Sequence, residues 1–337
     1  MSEKLQLANE KTPANEATYI DSICRLMANK VAQDAKNGIM RRDVHVKMHS
    51  LVKAEFIVEP NLPEDFRVGV FAEPRTYKAW VRFSNSDSSV KADKRRDIRG
   101  MAIKLMGVPG EKLLEGERNA QTHDFILISC PVFPAGTVKK FDQIAKAVLG
   151  GVFAKLRFAL TNPRALWILL TTMKKYANPL QIRYFSVTPY LFGNHAVKYA
   201  ATPLFTEPDQ IPLAASDDYL RLAIENQLKN GEAIFDFSVQ LQTDAEAMPV
   251  EDPRVEWSEK VSPFLKVATV RLLQQDCDDR WLAELGENLS FTPWHALPEH
   301  RPLGGINRAR KVVYEAISTQ RHDYNREPRE EPRDWND

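Results

Sequence analysis

The sequence predicts an α+β fold in which an antiparallel β-sheet or β-barrel carries helices appended at one side. Strand patterns occupy two blocks, 44–128 and 234–272, whereas helical patterns lie between these blocks and beyond residue 305. Runs of strands followed by runs of helices are typical of α+β proteins, since α/β proteins alternate the two. The 337 residues, 43% of them hydrophobic, are enough to bury a large core.

The strands are predicted from the alternation of apolar and polar side chains. In 44–58, the side chains of Val52, Ala54, Phe56 and Val58 share one face, and the opposite face is more polar. Further strands are predicted, in chain order, at 77–84, 100–105, 124–128, 234–242 and 264–272. The alternation is strictest in 234–242, and a Pro-rich segment, 249–263, links the last two strands.

The helices are predicted where apolar residues recur at intervals of three and four. The first covers 17–37 and ends near Gly38, because glycine is typical of a helix end. The others are predicted at 138–178, 216–229 and 305–320.

The stretch 153–173 is the most apolar part of the chain, but Lys155, Arg157, Pro163 and Arg164 interrupt it. These residues make a membrane-spanning helix too costly. We therefore expect this stretch to pack in the core. The alternative is an amphipathic surface that contacts lipid or a partner.

The polar residues 1–16 predict a flexible tail without the apolar centre of a signal peptide, and the charged residues 322–337 predict a disordered tail. Residues 17–321 then form a single domain. The chain has 46 Lys and Arg against 45 Asp and Glu, which argues against nucleic acid as a partner. Three cysteines without metal-site spacing fit a reducing cytoplasm, and we expect a soluble, cytoplasmic protein.

One helical pattern near residue 310 carries a functional signal. Arg310 and Tyr314 are four residues apart and therefore share a helix face, to which Arg321 returns. Nearby guanidinium groups favour a phenolate, and tyrosinate is one of the side chains that hold haem iron. Part of the N-terminal half adds arginines, a base and a hydroxyl, namely Arg42, His45, Arg82 and Ser84. Together these residues predict a buried haem with peroxide chemistry on its far side.

Four blocks in the same order carry a resemblance to the catalases. R42-D-V-H45-V-K47 is similar to the catalase distal signature, and V81-R-F-S84 with R96-D-I-R-G-M-A-I-K104 resembles the strand and turn after it. T122-H-D-F125 with Phe133 keeps the spacing of two haem-packing phenylalanines, and R310-K-V-V-Y314 with Arg321 resembles the proximal helix. R301-P-L-G-G-I-N-R-A-R310 and Y184-F-S-V-T-P189 resemble the short catalase-like haem proteins, the catalase-related peroxidase branch. The resemblance implies an antiparallel β-barrel of catalase type with appended helices.

The resemblance also implies residue roles around a b-type haem. Tyr314 matches the axial iron ligand, and Arg310 matches the residue paired with it. His45 matches the distal acid/base, and Ser84 matches the hydroxyl that orients its imidazole. The propionate-binding arginines correspond to Arg42, Arg82 and Arg321, and the haem-packing positions to Val44, Phe125 and Phe133.

The chain departs from the catalase pattern at two places. Ala120 stands where full catalases have a distal Asn, and the alternative is that the neighbouring Asn119 or Gln121 supplies that amide after a small shift of the chain. One extra residue lies between His45 and Phe56. Either a β-bulge absorbs it, or His49 replaces His45 as the distal base.

The resulting expectation is a haem-dependent, peroxide-using oxidoreductase, of peroxidase or catalase-like activity. The missing Asn favours an organic reductant or organic hydroperoxides over rapid disproportionation of peroxide. One alternative is a haem-binding carrier or sensor without turnover, and another is a barrel that binds a small apolar ligand without iron. The oligomeric state stays open, a homo-oligomer included.

Overall fold

A computed structural model describes residues 6–35, 38–205 and 207–336. Its strands are β1 (Met48–Val58), β2 (Thr76–Asn85), β3 (Arg99–Met106), β4 (Thr122–Ile128), β5 (Tyr184–Phe185), β6 (Tyr190–Phe192), β7 (His195–Leu204), β8 (Ala233–Leu241) and β9 (Leu265–Leu272). Its α-helices are α1 (Glu16–Asp34), α2 (Val138–Leu149), α3 (Val152–Thr161), α4 (Pro163–Thr172), α5 (Tyr219–Asn230), α6 (Arg280–Asn288) and α7 (Gly305–Asn325).

Eight of the strands close an antiparallel barrel in the order β5, β4, β3, β2, β1, β9, β8 and β7. The short strand β5 completes the ring, because Phe185 pairs with Ile128 of β4 and with Ala200 of β7. Strand β6 extends the sheet outside the ring by pairing with β7. Closure leaves few open edges, and it confirms the barrel that the sequence predicts.

Aromatic side chains fill the barrel interior. The Phe56 ring stacks on Phe125 at 5.7 Å between centroids and meets the edge of Phe237 at 5.1 Å. Phe71 and Tyr199 lie against the same rings. All of these side chains are buried in one hydrophobic cluster. The interior is thus packed core, as in small barrels whose lumen is filled by side chains.

A β-bulge lies near the start of β1. Met48 pairs with Ser84, but Ser50 pairs with Phe83, so β1 holds one residue more than β2 here. The extra residue is His49. The bulge therefore absorbs the additional residue between His45 and Phe56, as one of the two sequence alternatives requires.

A second core joins α7 to α1 and α2 outside the barrel. Its buried apolar residues come from all three helices and include Ile23, Met27, Val138, Val313 and Ile317. Helix α7 runs five residues beyond the predicted end at 320. It stops at Arg326, which adopts a left-handed conformation (φ 57°) typical of a helix end. One face of α7 therefore packs against α1 and α2, and a neighbouring face is directed at the barrel.

The predicted helix 138–178 is wrong as one element, because α2, α3 and α4 divide it. Gly150 and Gly151 separate α2 from α3, and Asn162 before Pro163 separates α3 from α4, since proline disfavours a helical residue before it. The expected core packing of 153–173 is also wrong for α3, in which no residue is buried. Ala165, Ile168 and Thr172 of α4 are buried.

The other helix bounds shift by a few residues. Helix α1 begins at Glu16 and ends at Asp34, and the predicted final residues 36 and 37 lie outside the described residues. Helix α5 covers Tyr219–Asn230 in place of 216–229. The sequence patterns missed α6, which is only nine residues long, and the strands β5 to β7. Strand β7 gives no alternation signal because six consecutive residues of it, 196–201, are buried.

Both expected tails lie against the folded domain where the structure describes them. Glu10 forms ion pairs of 2.6 Å with Arg301 and with Arg308. Near the other end, the Glu331 carboxylate lies 2.6 Å from Lys104 Nζ, and Trp335 Nε1 donates a hydrogen bond of 3.0 Å to the Ala79 carbonyl. Residues 1–5 and 337 lie outside the described residues. The division at 16 and 321 remains a prediction.

We predict that Glu331→Gln lowers the free energy of unfolding by about 1–3 kcal/mol, the cost of weakening a buried charged hydrogen bond. The Lys104 side chain is fully buried and pairs with Asp124 and Glu331. The amide keeps the shape of the Glu331 side chain but removes one of the two negative charges that face Lys104. Urea denaturation measures the effect. Glu330→Gln, at an exposed neighbouring position, is the matched control, and equal unfolding midpoints for both variants would refute the coupling of this tail to Lys104.

Candidate active site

A cleft between the barrel and α7 brings together residues that are far apart in the sequence. The barrel side contributes His45, Ser84 and Gly100, and α7 contributes Tyr314 and Arg321. Its empty space is about 710 Å³, open solvent at the mouth included. The remaining lining is Arg42, Asp43, Val44, Arg82, Met101, Ala102, Ile126, Leu127, Ser290, Phe291, Ile317 and Ser318.

The imidazole of His45 is held in one orientation. Its Nδ1 lies 2.9 Å from Ser84 Oγ, on the neighbouring strand β2. The His45 backbone has a left-handed φ of 57°, which costs about 1–3 kcal/mol for a non-glycine residue. The backbone is held there because the N–H donates to the Ser86 carbonyl (3.3 Å) and the carbonyl accepts from Arg82 Nη2 (3.1 Å). With Nδ1 engaged, Nε2 is the nitrogen left for proton transfer.

The environment of His45 favours its neutral form. Burial is the largest cause, and the charges of Arg82, Arg310 and Arg42 act in the same direction, so the pKa of His45 falls to about 3. The imidazole is therefore a neutral proton acceptor at ordinary pH.

Three arginines converge on the C-terminal end of α6. Arg42 Nη2 and Arg82 Nε both donate to the Gly286 carbonyl, at 3.0 and 3.2 Å. Arg321 Nη2 donates to the Asn288 carbonyl at 3.1 Å. The free carbonyl groups at a helix C-terminus carry partial negative charge, so they stabilise guanidinium groups there. Helix α6 thus positions all three side chains at the cleft.

This arginine cluster keeps an excess of positive charge. Among the described residues, Glu287 is the one carboxylate within 4 Å of any of the three guanidinium groups, at 3.7 Å from Arg42 and 3.6 Å from Arg82. Burial lowers the pKa of Arg82 and of Arg321 to about 9. Arg42 Nη1 is buried, and the described residues offer it no hydrogen-bond acceptor. The cluster therefore fits an anionic ligand, above all one with carboxylates that pair with guanidinium groups.

Tyr314 forms the α7 side of the cleft, one turn before Ser318 and two turns before Arg321. Burial raises the pKa of Tyr314, the Arg310 guanidinium lowers it, and the charge of Asp43 raises it. The sequence argument that arginine favours the phenolate is right in sign. The effect of burial on the pKa is larger than that of Arg310, however. The phenol therefore keeps its proton until a metal cation replaces the proton or a base removes it.

Arg310 lies beside this phenol without lining the cleft. Its Nη1 donates to Thr188 Oγ1 at 3.3 Å and to Asn307 Oδ1 at 3.4 Å. These neutral acceptors hold the guanidinium in place without cancelling its charge. The residue can therefore act on Tyr314 electrostatically.

Two of the expected haem-packing residues lie elsewhere. Phe125 is buried in the barrel interior, where its ring lies 5.7 Å from that of Phe56, and it is not among the residues that line the cleft. Phe133 packs against Phe141 of α2, with ring centroids 5.5 Å apart. Val44 lines the cleft.

The two alternative distal residues also lie outside the cleft lining. His49 is buried, with Nε2 at 2.7 Å from Asn85 Oδ1 and Nδ1 at 3.9 Å from Asp93. Burial is the main cause that lowers the pKa of His49 to about 4. Gln121 is exposed, and the interaction it shows is a backbone hydrogen bond from Val108 to its carbonyl. The geometry therefore favours His45 over His49 and gives Gln121 no place in the site.

Several residues of the cleft were given no role by the sequence analysis. Gly100 permits the approach of His45, because a Cβ there would lie 2.5 Å from His45 Nδ1 and 2.8 Å from Ser84 Oγ. Ser290 and Phe291 lie in a loop without periodicity. Ser318 was recoverable, since it is four residues after Tyr314 on the same helix.

Comparison with known proteins identifies the fold. No family model matches the chain, and no curated protein matches it. Among solved structures, the chain is similar to a fungal catalase (19% identity, TM-score 0.65, covering 97% of this chain and 66% of that one). It is also similar to catalase A from Saccharomyces cerevisiae (20%, 0.66, 97% and 68%) and to a bacterial catalase (18%, 0.67, 95% and 63%).

The chain spans about two thirds of the length of these catalases. Identities this low establish the fold alone, which is α+β, an antiparallel β-barrel of catalase type with appended helices, as the sequence predicts. Within the described ranges, no helix is long and apolar enough to cross a membrane.

Proposed function

We propose that this protein is a haem-dependent, peroxide-using oxidoreductase of the short catalase-like branch. The observation that carries the proposal is the cleft in which the His45–Ser84 pair and Tyr314 of α7 lie together beside the arginine cluster. A distal base, an axial ligand and an anion site are the three parts that such chemistry needs. The cytoplasmic location and the homo-oligomer considered from the sequence remain open.

The donor set of the cleft fits a b-type haem. Tyr314 offers a phenol oxygen for ferric iron, and Arg42, Arg82 and Arg321 offer pairing for two propionate carboxylates. The buried Arg42 Nη1 gains an acceptor in this way. The apolar lining suits the porphyrin faces, namely Met101, Ala102, Ile126, Leu127, Phe291 and Ile317. When bound, haem supplies a redox-active ferric centre for heterolytic cleavage of a peroxide O–O bond.

His45 would move the proton in this reaction. Its Nε2 accepts the proton of the incoming hydroperoxide and returns it to the leaving oxygen, while Ser84 fixes the tautomer through Nδ1. Returning the proton requires a pKa above the value of about 3 in the free protein. Carboxylates paired with Arg42 and Arg82 offset the positive field on His45 and so raise its pKa.

Arg310 would support Tyr314 as an anionic ligand. Burial alone disfavours the phenolate, and Arg310 is the nearby charge that opposes burial. Loss of the phenol proton on ligation makes the pair Arg310–Tyr314 electrostatically favourable. An electron-rich phenolate is the feature expected to sustain peroxide activation.

We propose peroxidase-type turnover, with an organic reductant or organic hydroperoxides, over rapid disproportionation. The described lining of the cleft contains no Asn or Gln side chain. Ala120 stands where full catalases carry the distal amide, and both Asn119 and Gln121 are exposed. An amide that holds and polarises peroxide is thus missing from the site.

Reconstitution with hemin tests this function. We expect the purified protein to bind hemin with a high-spin ferric spectrum of tyrosinate type. We also expect it to oxidise a reducing dye with hydrogen peroxide or an organic hydroperoxide, faster than it evolves oxygen. Oxygen evolution near the upper range of enzyme turnover, roughly 10⁶ per second, would contradict the peroxidase assignment. Hemin binding without peroxide consumption would leave a haem carrier or sensor.

Gly100→Ala should lower the peroxidase rate at least about tenfold, a partial loss of the roughly 100- to 10,000-fold that general acid–base catalysis typically contributes, while the protein still folds. The new methyl group would fall 2.5 Å from His45 Nδ1 and must displace the imidazole. Steady-state dye oxidation by the reconstituted protein measures the change. Gly116→Ala is the matched control, because a Cβ there meets no atom within 4 Å. Equal rates in both variants would show that the orientation of His45 is not limiting.

A further inference from the structure

Helices α3 and α4 expose large apolar side chains to solvent. Six of them form what we call the apolar stripe: Val152, Phe153, Leu156, Leu160, Trp167 and Leu170. The exposed fractions of Phe153 and Leu160 are 89% and 76%, and that of Trp167 is 65%. Large apolar side chains that are grouped and exposed in this way often mark a site of interaction with a protein or a membrane. We therefore expect another molecule to cover the apolar stripe.

The spacing within α3 is that of an amphipathic helix. At about 100° per residue, its four stripe residues fall within one sector of about 100°. Lys155 and Arg157 lie on the two sides of that sector. An apolar sector flanked by basic side chains is typical of helices that lie in the plane of a membrane interface.

The segment of the chain that carries the stripe is strongly basic. Residues 138–175 contain eight Lys or Arg and one Asp, a net charge of +7, whereas the whole chain has a net charge of +1. The one acid, Asp142, is buried and pairs with Lys146 at 2.6 Å. Between α2 and α3, a cleft is lined by Lys140, Lys146 and Arg157 and by no carboxylate among the described residues. The charge complement of this surface is an anionic one.

We propose that the apolar stripe and its basic flanks dock the protein onto the surface of a bilayer that contains anionic lipid. The apolar side chains enter the boundary between headgroups and acyl chains, and the basic side chains pair with lipid phosphates. The helices lie on the bilayer and do not span it, in agreement with their lengths of ten residues each.

A second copy of the chain is a poorer occupant than anionic lipid. A symmetric dimer through this surface would place two regions of charge +7 against each other, and like charges across an interface cost several kcal/mol. Lipid headgroups instead supply many negative charges next to an apolar layer. An anionic bilayer therefore complements both the apolar side chains of the stripe and its basic flanks.

Vesicle sedimentation tests the proposal without any cofactor. We expect the full chain to sediment with phosphatidylcholine vesicles that contain phosphatidylglycerol, to be released by added salt, and to remain in solution with phosphatidylcholine alone. The double variant K155Q/R157Q should bind about fivefold more weakly for each charge removed. The double variant F153S/L160S should bind at least about tenfold more weakly, since it removes two apolar anchors.

Matched controls separate the stripe from general charge and apolarity. K229Q/K260Q and L213S/V261S change exposed side chains elsewhere on the protein, and both variants should sediment as the unaltered protein does. Loss of binding in the controls, or no sedimentation with anionic vesicles, would overturn the proposal. So would a dimer in light scattering that F153S/L160S dissociates. Binding to poly-L-glutamate but not to vesicles would assign the surface to an acidic protein partner instead.

The fluorescence of Trp167 tests whether α4 enters the bilayer. Anionic vesicles should shift the tryptophan emission to shorter wavelength in the full chain, because the indole leaves water. Trp167→Phe should remove most of the shift while sedimentation persists. A shift of unchanged size in Trp167→Phe would show that α4 does not enter the bilayer, and would overturn this arrangement.

Discussion

Tyr314→Phe is expected to lower haem retention at least about tenfold, because even outer partners of a metal ligand typically contribute 10–100-fold. The substitution removes the phenol oxygen and keeps the ring, so the packing of α7 is preserved. Any haem that remains bound should lose the tyrosinate spectrum. Hemin titration, followed by absorption spectroscopy, measures both effects.

Tyr324→Phe is the matched control for this experiment. Tyr324 lies on the same helix, and its hydroxyl donates to the Ala35 carbonyl at 3.0 Å, away from the cleft lining. The control should keep both affinity and spectrum. Full haem occupancy with an unchanged spectrum in Tyr314→Phe would remove Tyr314 from the role of ligand, whatever the rest of the cleft does.

His45→Gln is expected to slow the reaction with peroxide by at least about 100-fold, the lower bound for loss of general acid–base catalysis. The amide preserves polarity near Ser84 but cannot carry the proton between oxygens. Stopped-flow mixing of the reconstituted protein with peroxide gives the rate, and hemin titration shows whether haem still binds.

His49→Gln should cost less than about tenfold on the same scale. His49 occupies the bulge of β1, and its Nε2 is engaged with Asn85 outside the cleft lining. A large loss in His49→Gln with little change in His45→Gln would mean that the strand register at the distal side differs from the one described.

Many residues of the candidate site could be named from the sequence because they combine recognisable chemistry with regular spacing. Tyr314 and Arg321 are seven residues apart on one helix, and His45, which lies just before β1, meets Ser84 of the neighbouring strand β2. Alternation predicted six of the strands and an antiparallel sheet or barrel, and the resemblance to the catalases implied the barrel. The position of Phe125 in the barrel interior did not follow from the sequence, because spacing along the chain does not tell which side chains of a strand reach the cleft.

Helix α6 shows why the remainder was missed. It is short, and it acts through backbone carbonyls at Gly286 and Asn288, which no side-chain pattern reveals. Its start did carry a signal, since Asp279 accepts from Trp281 N–H at 2.8 Å as a helix cap. The apolar run of α3 was misread because periodicity marks an apolar face without telling what covers it.

The arginine cluster also connects parts of the chain that are far apart in the sequence. Arg42 contacts a carbonyl 247 residues further along the sequence, and Arg82 one that is 204 residues further. Contacts of such separation form late, because the entropy of closing long loops must be overcome first. A ligand held there binds the folded chain only, so it acts as a reversible cross-link whose stabilisation grows with the logarithm of its concentration. Binding of such a ligand therefore distinguishes the folded chain from the unfolded chain.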